Sequence, residues 1–270
     1  MAPLALLSAF VLANIAAAVV DIPALLLGAK IEGSAPSPGL LSVDTFVQDA
    51  VFVACAVGFA RIGGRTVRAS QLGLRGPDSG WKRAAGLIGL LIVAFLIFSL
   101  IWGAAFHVEK EKVLEQLGAD QSALLLLLSA ALTCVVAPIC EELLFRGFIF
   151  AALRNWRGTG PAAIIAGLLF GAIHVFSAPV LDLPPLAALG FGLCLLYRYT
   201  GSLYPCIVAH SLNNSLAFGS LEGWGWQTLA LMLAALTIIG LLVLALVRIG
   251  VIATETPAVA RKASAVAPGG

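Results

Sequence analysis

Two adjacent carboxylates, Glu141 and Glu142, interrupt a long apolar run, and Arg146 follows the second of them by four residues. Neighbours on a helix point about 100° apart, so the two acids cannot share a face. Glu142 and Arg146, at i,i+4, can pair. Glu141 is then free to face a cavity, so one carboxylate can do chemistry while the other holds structure. The competing reading is a charged helix end in the lipid headgroup zone. The chain has three histidines. His107 sits beside Glu109 in a polar connection and is expected to be solvated. His174 and His210 each fall inside an apolar segment, with Phe170 four residues before the first and Asn214 four after the second. One turn of helix puts His210 and Asn214 on the same side. Carboxylates and imidazoles are the side chains that most often move protons in catalysis. An ionisable group inside a membrane span costs roughly 2.5–3.5 kcal/mol on insertion scales, which marks this set as a functional candidate. A single intramembrane histidine often does no more than bond two helices together; two histidines with a buried acid pair and an amide form a constellation.

These residues must be positioned by helices that live in lipid. The chain has 270 residues, 60% of them apolar and only 11% charged, where soluble domains carry roughly 25% charged residues. So few charges exclude an ordinary cytosolic enzyme, a disordered chain and a nucleic-acid binder. At about 20 residues per span, eight apolar segments are expected, near 4–28, 45–62, 83–106, 122–145, 161–178, 184–199, 202–218 and 226–248. The predicted fold is all-α, a polytopic transmembrane bundle of about eight helices over residues 1–252, followed by a flexible cytoplasmic tail, 253–270. The first segment lacks a basic residue before it and is expected to be a retained helix, not a secretory signal. The stretch Gly33–Gly39 reads as a loop. Gly167 and Gly171, spaced as GxxxG, would let a neighbouring backbone come close to the helix that bears His174. The five cysteines all lie in apolar stretches without a CxxC pair and are expected to be buried packing residues.

Charge asymmetry sets the expected orientation. Thirteen of the sixteen basic residues, from Arg61, Arg65, Arg68 and Arg75 to Arg261 and Lys262, fall on one side of the eight segments, leaving Lys30, Lys110 and Lys112 opposite. The positive-inside rule then places both termini in the cytoplasm.

In order and in membrane context, Glu141-Glu142-x-x-x-Arg146, Phe170-x-x-x-His174 and His210-x-x-x-Asn214 resemble the three motifs of the CAAX protease and bacteriocin-processing family of intramembrane proteases. The stretch from Gly190 to Asn214, including Tyr197-Arg198-Tyr199-Thr200-Gly201-Ser202-Leu203, is similar as well. The resemblance covers about residues 120–218, the expected protease core. It implies an endopeptidase acting on membrane-associated peptides or proteins, as CAAX prenyl proteases do. By resemblance, Glu141 is the base that activates water, helped by His174. His210 and Asn214 donate to the oxyanion, Glu142 and Arg146 fix the helix, and Phe170 orients His174. The family also implies a prokaryotic plasma-membrane protein, with a peptide substrate and the lipid bilayer as partners and no nucleic acid.

Cofactor use is left open at this level. Glu141, His174 and His210 form a plausible zinc set, but there is no HExxH and the spacing gives no local chelate; the resemblance to eukaryotic members of the family implies a glutamate-driven reaction without metal. A proton-coupled transporter would use the same polar cluster, although no inverted repeat is visible. A membrane scaffold is the third reading, in which the cluster only binds helices together. Asp49, alone in the second segment, is a further candidate for function.

Overall fold

A computed structural model describes residues 35–62, 67–106, 119–175 and 177–250, with Ile31, Glu32 and scattered positions before residue 23. Seven helices carry the architecture: α1 (Pro38–Ala60), α2 (Trp81–Phe106), α3 (Ala123–Arg157), α4 (Thr159–Ala172), α5 (Leu183–Thr200), α6 (Leu203–Leu221) and α7 (Trp226–Arg248). The protein is an all-α, multi-pass integral membrane protein. α1, α2, α3, α7 and the segment Val180–Thr200 containing α5 are each long and apolar enough to cross a membrane. In the first expected segment the described residues, among them Leu12, Ile15 and Val19, are helical. The only β structure among the described residues is a two-residue antiparallel pairing, Ile31–Glu32 with Ala35–Pro36. The expected loop at 33–39 is therefore partly paired, and α1 starts at Pro38, earlier than the apolar run suggests. Proline fits the first turn of a helix, where no intrahelical donor is needed. His107 and the tail 253–270 lie outside the described residues.

The outer helices show why the chain needs lipid. α2 presents Leu90, Val93, Ile97, Leu100 and Ile101 outward, and α7 presents Leu229, Leu233 and Leu241. Exposed aliphatic stripes of this extent suit hydrocarbon, not water. The inner helices are α3, α4, α5 and α6, with α1 packed against the middle of α3. All five cysteines are buried and free.

α3 departs most from expectation. The apolar run was expected to end near residue 145, with the acid pair at its cytoplasmic end. Instead one helix continues for 35 residues to Arg157, and Glu141 and Glu142 lie at its middle. The cause is that Leu143-Leu144-Phe145 and Gly147 to Leu153 are as apolar as the run before them, while the intervening charges neutralise one another. Arg146 and Glu142 are completely buried inside the protein. The helix is not uniformly α: it widens into π-helix at Leu132–Val136 and again at Leu143–Phe150, flanking the α-helical Ala137–Glu142. Such π insertions are frequent at functional sites.

α4 and α5 approach until their backbones touch. A Cβ on Gly167 would lie 2.8 Å from both the Ala187 carbonyl oxygen and the Phe191 nitrogen. Glycine there allows the close approach anticipated from the GxxxG spacing. α4 also ends sooner than expected, at Ala172, so His174 sits in the turn that follows and not inside a helix. The turn closes on itself: the His174 N–H donates to Gly171 O at 3.1 Å, and the Ala178 N–H to His174 O at 2.8 Å.

Candidate active site

Glu142 is the hub of the buried polar cluster. Its Oε1 accepts from Arg146 Nη1 at 2.7 Å and from His210 Nδ1 at 2.9 Å. The first contact is the i,i+4 pair read from the spacing; the second joins residues 68 positions apart. Arg146 Nη2 also donates to the Gly190 carbonyl at 3.1 Å, so the guanidinium ties α3 to α5 as well. Its face lies over the Phe170 ring, 4.5 Å from the centroid. A buried arginine needs such partners, because an unpaired charge away from water is very costly.

Phe170 connects the motifs. Its ring meets His174 at 5.2 Å and His210 at 5.6 Å between centroids, and takes the edge of Phe145 at 5.2 Å. The two histidines thus both meet the same aromatic ring, although 36 residues of sequence separate them. The His174 ring is held from the other side. Its Nδ1 lies 2.8 Å from the Phe170 carbonyl, which the end of α4 leaves without the usual backbone donor. A carbonyl can only accept, so Nδ1 carries the proton and Nε2 of the neutral ring keeps its lone pair.

Glu141 stands apart from this web. It is buried, yet its Oε2 has no hydrogen-bond partner. The nearest basic atom is His210 Nε2, at 4.0 Å, longer than a direct hydrogen bond. Because His210 Nδ1 donates to Glu142, Nε2 is the ring atom left to face Glu141. Among the described residues no hydrogen bond joins Glu141 to His174. The arrangement therefore offers one carboxylate without a hydrogen bond next to an imidazole edge, beside a second whose Oε1 is bonded twice and whose Oε2, like that of Glu141, is buried without a partner.

Asn214 lies one turn along α6 from His210, but its amide is anchored elsewhere. Its Nδ2 donates to Thr133 O at 2.9 Å, and its Oδ1 accepts from Asn213 at 3.3 Å. Ser211 Oγ donates to Cys134 O at 2.6 Å. Both carbonyls belong to the first π stretch of α3. Asn214 and His174 are half-buried, whereas Glu141 and His210 are buried.

Gly190, Ser211, Phe145 and the carbonyls of Thr133 and Cys134 were not anticipated from the sequence. Only Pro138, a proline within a helix, was a visible signal that nearby carbonyls would be free. Asp49 of α1 is buried to 1% exposure, with neither oxygen hydrogen-bonded, and lies within electrostatic reach of Glu141. Among the described residues no group of three or more histidine, cysteine or acidic side chains is placed to hold a metal ion; the Nδ1 atoms of His174 and His210 are engaged, which leaves their Nε2 atoms open.

Residues 123–216 match the family described as "Type II CAAX prenyl endopeptidase Rce1-like". Over 81 residues the chain is 35% identical to a Bacillus subtilis (strain 168) protein named "Putative membrane peptidase YdiL", covering 30% of this chain and 32% of that protein. Over 87 residues it is 31% identical to a protein of Mycoplasma capricolum subsp. capricolum (strain California kid) named "Uncharacterized protein", covering 32% of this chain and 25% of the other. The chain thus spans about a quarter to a third of the length of these relatives. No solved structure matches it.

Proposed function

We propose that this protein is an intramembrane endopeptidase that hydrolyses membrane-associated peptides or proteins, in the manner of CAAX proteases, through a water activated by Glu141. The observation that carries the reading is the contrast between the two adjacent carboxylates: Glu142 is bonded to Arg146 and His210, while Glu141 Oε2 is buried without a partner 4.0 Å from His210 Nε2. An oxygen atom placed off the line between them can lie within hydrogen-bond distance of both. Glu141 takes a proton from water, with His174 assisting, as the water oxygen attacks the peptide carbonyl carbon. The new oxyanion receives hydrogen bonds from His210 Nε2, when the ring carries both protons, and from the second N–H of the Asn214 amide. The C–N bond then breaks, and the proton held by Glu141 passes to the leaving amine. Glu142 and Arg146 hold His210 in place and keep the charge of the cluster balanced. No step is routed through a metal.

The basic loops favour both termini in the cytoplasm, and the bacterial relatives favour a plasma-membrane protein of prokaryotic type. The test is hydrolysis of a membrane-soluble peptide by the purified protein in detergent, with Glu141→Gln as control. Turnover by the wild type that disappears in the variant supports the reading; a peptide left intact by a folded wild type across a broad peptide library overturns it.

A further inference from the structure

Pro138 lies in α3 between the first π stretch and Glu141 and is buried. Proline has no backbone N–H. In an α-helix, residue 138 would donate to the carbonyl of Cys134; in π register it would donate to that of Thr133. The π register is in force just before it, where the Ala137 N–H donates to Leu132 O. The next donor in that register would be the absent one. The two carbonyls that Pro138 cannot serve, Thr133 and Cys134, are the two that α6 takes with Asn214 Nδ2 and Ser211 Oγ, at 2.9 and 2.6 Å.

We propose that Pro138 is a positioning residue: by withholding the backbone donor that Thr133 O would take in π register, it leaves that carbonyl to α6 and so fixes the amide of Asn214. One N–H of that amide is committed to Thr133 O, which orients the other. The catalytic half of this inference rests on the peptidase reading above; the structural half does not. An isolated proline in a helix interior disfavours the helix strongly, and a buried carbonyl without a donor is costly. Here the α6 side chains satisfy the carbonyls, and the same bonds set the register of α6 against α3. Ser215 Oγ, bonded to Ser211 O at 2.8 Å, continues the polar line along α6.

The experiment compares Pro138→Ala and Pro138→Gly in the full-length protein in detergent. Both restore the N–H, but alanine raises helix propensity and glycine gives back much of that gain. Three quantities are read: melting temperature, kcat and KM on a membrane-soluble peptide, and the side-chain amide resonance of Asn214 in selectively labelled protein, assigned by its loss in Asn214→Asp. If Pro138 positions Asn214, the amide resonance shifts in both variants and kcat falls about tenfold or more in both, as for loss of one oxyanion donor. KM stays near wild type, and melting temperature follows propensity, higher for alanine than for glycine. A kcat that simply tracks melting temperature, or an unmoved Asn214 resonance in either folded variant, overturns the proposal. If the wild type shows no turnover, the peptidase reading fails, and the Asn214 resonance alone still decides whether Pro138 sets the amide.

Discussion

Glu141 and Glu142 are joined by a peptide bond yet live in opposite polar surroundings. Glu142 Oε1 accepts two hydrogen bonds from cationic or ring nitrogens, whereas Glu141 Oε2 accepts none. The helix makes this division, since successive residues point to different sides and only one of them faces both Arg146 and His210.

The two acids should therefore fail differently. Glu141→Gln keeps the shape and removes the base, so turnover should vanish while the melting temperature in detergent stays within a few degrees of wild type. Glu142→Gln leaves Arg146 buried without its counter-charge. Breaking such a pair costs roughly 3–5 kcal/mol, so the yield of folded protein should drop together with activity. Thermal unfolding measured beside turnover separates the outcomes, and an equal stability loss in both variants would show that the carboxylates have been assigned the wrong way round.

Asp49 offers a gain. Its carboxyl is buried with no hydrogen bond, and a buried polar group left unsatisfied costs about 1–3 kcal/mol. Asp49→Leu replaces it with an apolar side chain among the apolar partners of α1. The melting temperature should rise; a fall would show that the folded protein supplies Asp49 with a partner.

Gly167 should tolerate no side chain. Its Cβ position lies against the α5 backbone, which cannot move aside without displacing Gly190, whose carbonyl holds Arg146. Gly167→Ala is expected to destabilise the protein by about 1–3 kcal/mol, as overpacking does, and to lower turnover through Arg146. Unchanged stability in thermal unfolding would mean that α4 and α5 can separate freely.

Orientation is open to a direct check. A reporter fused near Arg75 should read cytoplasmic and one inserted near residue 111 external, as the basic residues dictate. An external signal at Arg75 would invert the protein and the side from which substrate reaches the site.

The helices could be read from the sequence because apolar runs long enough to span lipid have few alternative fates. The middle of α3 could not, because Glu141, Glu142 and Arg146 imitate a helix end, and their mutual neutralisation depends on partners distant in the chain. The Glu142–Arg146 pair was legible, being local. The bond from His210 to Glu142 was not, and neither was that from Asn214 to Thr133, which spans 81 residues. Spacing showed that His210 and Asn214 share a side of α6 without showing what that side meets. His174 was placed one turn too deep in its helix, because nothing in Ile173-His174-Val175 announces that α4 stops at Ala172.

The two wide stretches of α3 have a consequence for how this protein can change. A π insertion is an α-helix that has accommodated one surplus residue, so each stretch holds a position that can be deleted by returning the local turns to ordinary winding. Removing one residue from Leu132–Val136 would let those turns return to α winding and leave the helix before them on nearly its present face relative to Glu141, whereas a deletion from uniform α-helix turns one side by about 100° against the other. A deletion inside Ala137–Glu142, where the winding is already tight, has no such slack to consume. Length variation along this helix should therefore accumulate in its wide turns and be absent from the six residues between them.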